Sequence, residues 1–195
     1  MIRIGIIGGI GSGKSYVAKS FGYPVFNADK EVAKLYKNNK QIFSSLNKLI
    51  PKYIVSFPVD KKEISNAILA NQVNLKKIIK IVHKEIRKKL NLFLIKNKNK
   101  KVIILDIPLL LENKINNKKD LLVFVDSKKS KINKRLKKRL NFNSKLFNKF
   151  KKIQLPINYK KRKAHFIIKN DFTNRSVKIG IKKILEEINK WKKSF

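Results

Sequence analysis

Eight consecutive residues, Gly8-Gly9-Ile10-Gly11-Ser12-Gly13-Lys14-Ser15, satisfy the spacing G-x-x-x-x-G-K-[ST], which suits the holding of a polyphosphate. Glycines reach positive φ at no steric cost, so the backbone can wrap an anion with its N–H groups. A helix starting at Ser15 would point its positive end at the same anion. Lys14 adds a point charge that can reach β and γ phosphate oxygens, and Ser15 adds a hydroxyl for Mg²⁺. A dinucleotide-binding reading fails on spacing. After Gly9 and Gly11 its third glycine would fall at position 14, which is Lys14.

Other side chains could join phosphate chemistry. Asp106 ends the apolar run Lys101-Val102-Ile103-Ile104-Leu105-Asp106, the Walker B form, in which the carboxylate holds a Mg²⁺-bound water. Its alternative is an ordinary strand-end turn residue. Asp29 follows the short apolar run Pro24-Val25-Phe26, at a strand edge where open α/β sheets bind ligands. A helix cap is an equal reading there, and the residues leave both open. Arg135 and Arg139 lie four apart in a basic stretch read as a helix from Ser127 to Asn141. Such a pair is usually solvated surface, yet it also suits a clamp on a transferring phosphate. His83 adjoins the apolar face of a long helix; a buried or rim histidine is the default, and a substrate contact the alternative.

The elements that must position these residues alternate. Ile2-Arg3-Ile4-Gly5-Ile6-Ile7 reads as a buried strand, and Ser15 to Phe21 as the first turns of a helix. Pro24 to Phe26 is a second strand, followed by a helix through Tyr36, and residues 41–49 carry helical spacing. Asp60-Lys61-Lys62-Glu63 resembles a capping box. A helix or pair then runs from about Val73 to Ile95, with Leu75, Ile78, Ile79, Val82, Ile86, Leu90 and Leu94 on one face. Lys101–Asp106, Leu121–Asp126 and Ala164–Lys169 complete five strands. The stretch Asn143 to Tyr159 reads as polar, basic and mobile. The last helix starts near Asn174 and should bury Val177, Ile181, Ile184, Leu185, Ile188 and Trp191. Alternation of this kind predicts an α/β fold: a five-stranded parallel sheet with helices on both faces, in three layers α/β/α. One domain is expected over 1–195. Its core would be 1–59, 100–142 and 160–195, with a helical insertion over 60–99 and a lid over 143–159.

A chain of 195 residues can bury roughly 70% of its unfolded surface without staples. It has no Cys, which excludes disulfides, thiol chemistry and Cys-ligated zinc. No apolar run approaches the roughly 20 residues of a membrane span, and no signal-peptide pattern opens the chain, so a cytoplasmic protein is expected. Charge is lopsided: 49 Lys+Arg against 12 Asp+Glu, formally +37. That balance permits nucleic-acid binding. The lysines form no single tract, however, and Lys, Asn and Ile are over-used everywhere, which favours compositional drift over a dedicated nucleic-acid role. In either case the field favours anionic ligands.

Along nearly its whole length the chain resembles the dephospho-CoA kinases. The resemblance rests on Ile6 to Ser15, on Asn27-Ala28-Asp29 where that family has Asp-Ala-Asp, and on Asp106-Ile107-Pro108-Leu109-Leu110-Leu111-Glu112. Gln154-Leu155-Pro156 and Ala164, Ile167-Ile168-Lys169-Asn170 extend it. The likeness implies transfer of a phosphoryl group from MgATP to the ribose 3′-hydroxyl of dephospho-CoA, giving CoA and ADP. It implies ATP contacts at Gly9, Gly11, Ser12, Gly13, Lys14, Ser15, Tyr16 and Asn170. Substrate contacts fall at Asp29, His83, Pro108 and Leu109, and metal contacts at Ser15 and, through water, Asp106. Asp29 would be the catalytic base, with Lys14, Arg135 and Arg139 on the transferring phosphate. Residues 60–95 would bind the CoA arm, and 143–159 would close. A monomer is expected. Departures are Asn27 for an acid, Lys84 rather than Pro after His83, His165 rather than Asp after Ala164, and no Gly shortly after Asn170.

Three rivals remain. A GTP switch would need Asn-Lys-x-Asp after a late strand. Asn117-Lys118-Lys119-Asp120 precedes its strand instead, and Asp106-Ile107-Pro108-Leu109 lacks the glycine of Asp-x-x-Gly. A basic nucleic-acid-binding ATPase would be betrayed by RNA affinity that survives physiological salt. Another small-molecule or nucleoside-monophosphate kinase is the nearest alternative, separable by a substrate panel.

Overall fold

The computed structural model describes residues 1–139 and 142–193, with side chains described through residue 190. Chain contacts divide it into two compact units. One comprises Met1–Asn27, Asn97–Phe142 and Leu155–Phe195; the other comprises Ala28–Lys96 and Asn143–Gln154.

The first unit is built on five parallel strands: β1 (Ile2–Gly8), β2 (Val25–Asn27), β3 (Val102–Asp106), β4 (Leu121–Asp126) and β5 (Phe166–Lys169). Their order is β2-β3-β1-β4-β5. β1 is therefore central, pairing Ile2–Gly5 with Val102–Leu105 on one side and Ile4–Gly8 with Leu121–Val125 on the other. Strands buried on both faces read as continuous apolar runs, and all five residues of β3 are buried. Two helices, α1 (Lys14–Ser20) and α9 (Asn174–Lys193), cover one face. Val17, Ala18, Phe21, Val177, Ile181, Ile184 and Ile188 pack there on Ile4, Ile6, Val102, Ile104, Val123, Val125 and Ile168. Through the other face, Leu110 and Leu122 close over Gly5, whose missing Cβ makes room for them. At the opposite end of the sheet from the glycine loop, Arg3 and Asp120 form an ion pair (Nε–Oδ1 2.8 Å).

The second unit is helical: α2 (Ala28–Asn38), α3 (Lys40–Leu49), α4 (Lys61–Ala70), α5 (Gln72–Lys96) and α7 (Ser144–Lys152). The α5 stripe expected from the sequence is buried at Leu75, Ile78, Val82, Ile86 and Leu90. Asp60 caps α4 by accepting from Lys62 N–H (2.7 Å). Glu63 does not return the bond as a capping box would; its carboxylate takes the Val55 and Ser56 N–H groups instead.

Two further expectations change. The basic helix read from Ser127 to Asn141 is shorter: α6 spans Lys129–Lys137, so Arg139 lies beyond it. Its apolar anchors are Ile132 and Leu136, and like charges at Lys134/Lys138 and Arg135/Arg139 oppose another turn. Asn141 lies outside the described residues, as does the Trp191 side chain expected to be buried. The stretch Asn143 to Tyr159 contains α7 and the start of α8 (Ile157–Lys163). Asn143 caps α7 by accepting from Leu146 N–H (3.0 Å), and Leu146, Phe147 and Phe150 give it a half-buried face.

Candidate active site

The glycine loop leaves the carboxyl end of the central strand, where connections depart to opposite sides of the sheet. Its turn needs left-handed backbone at Gly11 (φ 81°) and at Gly13 (φ 92°), which caps α1. A Cβ at Gly13 would also strike the Asn170 side chain, and one at Gly11 would press on Ile132 and Leu136 of α6. The loop is thus packed as well as folded.

Polar side chains fix it from outside. The Ser12 carbonyl accepts from Asn170 Nδ2 (2.8 Å) and Ser127 Oγ (2.9 Å). Asn170, 2% exposed at the end of β5, uses its own Oδ1 to accept from Phe172 N–H (2.9 Å). Phe172 holds φ 70° and carries the Arg135 guanidinium 5.0 Å from its ring centre. Arg135 is therefore placed against this brace. Arg139 is exposed in the turn after α6.

Within the loop, Lys14 Nζ donates to the carbonyl of Gly9 at 2.8 Å and lies 3.4 Å from that of Gly8. Ser12 Oγ is buried and finds no partner among the described residues. Ser15 and Tyr16 are exposed in the first turn of α1.

Asp106 ends β3, the strand beside β1, and is 3% exposed. It stands in register with Asn27 on β2, and Asn27 Nδ2 donates to Asp106 Oδ2. The amide at position 27 therefore orients the Walker carboxylate. Pro108 and Leu109 form the half-buried turn that follows, Leu109 with φ 57°.

The other two expected substrate residues belong to the helical unit. Asp29 is exposed and is the second residue of α2, inside the helix rather than at its cap. A carboxylate there faces the positive helix end. His83 is half-buried in α5; burial, with Arg87 one turn on, holds its imidazole below the usual value, so it is neutral at pH 7. Sequence reasoning missed Ser127 and Phe172. A serine directly after a strand was the only signal for the first, and a phenylalanine in left-handed backbone gives none.

No three His, Cys, Asp or Glu side chains among the described residues could together hold a metal ion. What the site offers is hard oxygen donors: the Ser15 hydroxyl and the Asp106 carboxylate. That donor set fits Mg²⁺, which takes one or two protein oxygens and fills its shell with water and phosphate.

Comparison with known proteins agrees with this geometry. A family model described as dephospho-CoA kinase matches residues 2–175. A dephospho-CoA kinase of Wolbachia pipientis wMel is 36% identical over 191 residues, covering 95% of this chain and 97% of the relative. One from Zymomonas mobilis is 31% identical over 173 residues, covering 87% and 88%. A crystal structure from Thermus thermophilus superposes with TM-score 0.77 at 26% identity, over 95% of this chain and 97% of that one. A shikimate kinase from Bacteroides thetaiotaomicron shares the fold alone, with TM-score 0.53 at 13% identity over 96% and 98%. The architecture is thus the three-layer α/β/α fold of P-loop kinases. With a phosphate loop, a Walker carboxylate and full-length relatives in agreement, the chain belongs to the dephospho-CoA kinase family.

Proposed function

We propose that this chain transfers the γ-phosphoryl group of ATP to the ribose 3′-hydroxyl of dephospho-CoA, giving CoA and ADP. The observation that carries the reading is the braced glycine loop at the end of β1, with Asp106 on the adjacent strand. Phosphoryl transfer needs alignment and charge neutralisation more than covalent help from the protein.

In this reading the N–H groups of the loop from Gly9 to Ser15, with Tyr16 beside them, hold the ATP phosphates. Lys14 Nζ leaves the Gly9 carbonyl for the β and γ oxygens. The unpaired Ser12 hydroxyl donates to a phosphate oxygen. Asn170 keeps the loop in shape through the Ser12 carbonyl. Ser15 and, through water, Asp106 would hold Mg²⁺, which would supply neutralisation of the phosphate charge. Asp29 accepts the proton of the 3′-hydroxyl as its oxygen bonds to the γ-phosphorus and the β–γ bridging bond breaks. Arg135 and Arg139 offset the developing charge. His83, neutral and able to donate or accept one hydrogen bond, contacts the substrate together with Pro108 and Leu109. Helices over 60–95 take the CoA arm, and 143–159 acts as the lid that excludes water. The enzyme works as a monomer in the cytoplasm. Among the described residues no helix is long and apolar enough to cross a membrane.

An acceptor panel tests the assignment. With MgATP, ADP release should be fast with dephospho-CoA and near background with nucleoside monophosphates or shikimate. Fast release with one of those and none with dephospho-CoA would reassign the substrate.

A further inference from the structure

Among the described residues one lysine or arginine is buried: Lys160, 3% exposed, on α8. The chain spreads 49 Lys and Arg over its length, and Lys161, Arg162 and Lys163 on the same helix are exposed. Charge drift accounts for those three. It does not account for an ammonium taken out of water, which persists only with a partner. The partner is Glu112, whose side chain is 8% exposed and whose Oε1 meets Lys160 Nζ. The same Oε1 accepts from Leu155 N–H at 3.0 Å.

These contacts join three places in the first unit. Glu112 lies six residues beyond Asp106, in the loop leaving β3. Leu155 is where the chain returns to this unit. Lys160 lies one helical turn after Ile157, so the two share a face of α8. Ile157 Cδ1 lies 3.4 Å from the point a Cβ on Gly9 would occupy. The helix face that buries the ion pair is thus the face that lies against the phosphate loop.

We infer that Lys160 and Glu112 are a positioning pair for nucleotide binding: their buried ion pair fixes the start of α8 against Gly9 and so sets one wall of the phosphate loop. An ion pair is directional where an apolar contact is not, so its role is placement rather than adhesion. The inference rests on the reading that ATP phosphates occupy this loop. Neither side chain is assigned a contact with ATP.

The test compares wild type with Lys160→Met, Glu112→Gln and the double variant. Melting temperature is measured with and without MgATP, and KM separately for ATP and dephospho-CoA. Lys160→Met leaves Glu112 buried without its cation, so its melting temperature falls. Its KM for ATP should rise at least ~10-fold, with KM for dephospho-CoA within about twofold. The double variant removes the lone charge and should regain thermal stability, because paired apolar or neutral groups are tolerated where a single buried ion is not. Its KM for ATP should nevertheless stay raised, and its thermal shift with MgATP should stay smaller than wild type. Recovery of ATP KM together with melting temperature in the double variant would overturn the inference, leaving the pair purely structural. A wild-type protein that shows no thermal response to MgATP would overturn both the inference and the reading beneath it.

Discussion

Lys14 is the side chain whose removal should cost most. Its ammonium rests on the Gly9 carbonyl at 2.8 Å, within the loop rather than in the apolar core. Lys14→Ala should therefore melt near the wild-type temperature while kcat falls at least ~100-fold, the scale for losing one preorganised electrostatic contact; steady-state kinetics and a melting curve on one preparation check both halves. Asp29 separates base from helix-end charge. Asn leaves the first turn of α2 folded but accepts no proton, so Asp29→Asn should keep its melting temperature and its ATP affinity while kcat drops at least ~100-fold. Near-normal kcat in a stable variant would send the search for the base elsewhere. For Arg139→Ala, kcat should fall more than KM for ATP rises, as befits a group that acts in the transition state. A pure KM effect would make it a ground-state contact. Lys14, Ser15 and the glycines were legible in the sequence because their spacing is local. The Asn27–Asp106 bond was not, because it depends on which strands become neighbours.

At the scale of elements, the loop after β5 sets the start of α9. Asp171 Oδ1 accepts from Thr173 N–H (2.9 Å), Thr173 Oγ1 (2.7 Å) and the Ser176 hydroxyl. The Ser176 bond first, then those from Thr173, hold its carboxyl well below the ordinary carboxylate range. A depressed carboxyl binds its proton more weakly folded than unfolded, so its contribution is present above the ordinary value and is lost as pH falls below it. Asp171→Ala should thus melt below wild type at pH 7, and the gap should narrow below about pH 4; melting curves at a series of pH values read this directly. Beside it, Phe172 adopts left-handed backbone where the resembled family has a glycine nearby, and the Arg135 stack accompanies that conformation. His165 shows the same tolerance of substitution. Its Nδ1 accepts from Leu122 N–H (2.9 Å), so the imidazole gives that backbone donor a partner. Strands and the long helix were legible because apolar runs and 3.6-residue stripes survive a lysine-rich background. The end of α6 and the existence of α7 were not. Both depend on where anchors find a partner: Ile132 and Leu136 on Gly11, and the half-buried face of α7.

For the whole molecule, a formal charge of +37 repels itself in the compact state. Melting temperature should rise with NaCl as the Debye length contracts from about 30 Å at 0.01 M to about 8 Å at 0.15 M. Each kcal/mol of repulsion relieved should raise it by ~2–4 °C. A flat or falling curve would mean that the cations are already locally compensated. RNA binding should fade over the same salt range, as drift rather than recognition requires. None of this charge names the substrate; the family does, and we assign the chemistry to the loop, Asp106 and Asp29. The most direct measurement is the product itself. Purified protein is incubated with MgATP and dephospho-CoA, and the product is examined by mass spectrometry and phosphorus NMR. The account predicts dephospho-CoA converted one-for-one with ADP into a species heavier by one phosphoryl group, with the new phosphate on the ribose 3′-oxygen. ADP and free phosphate with dephospho-CoA unchanged, or a phosphate on any other oxygen, would contradict it.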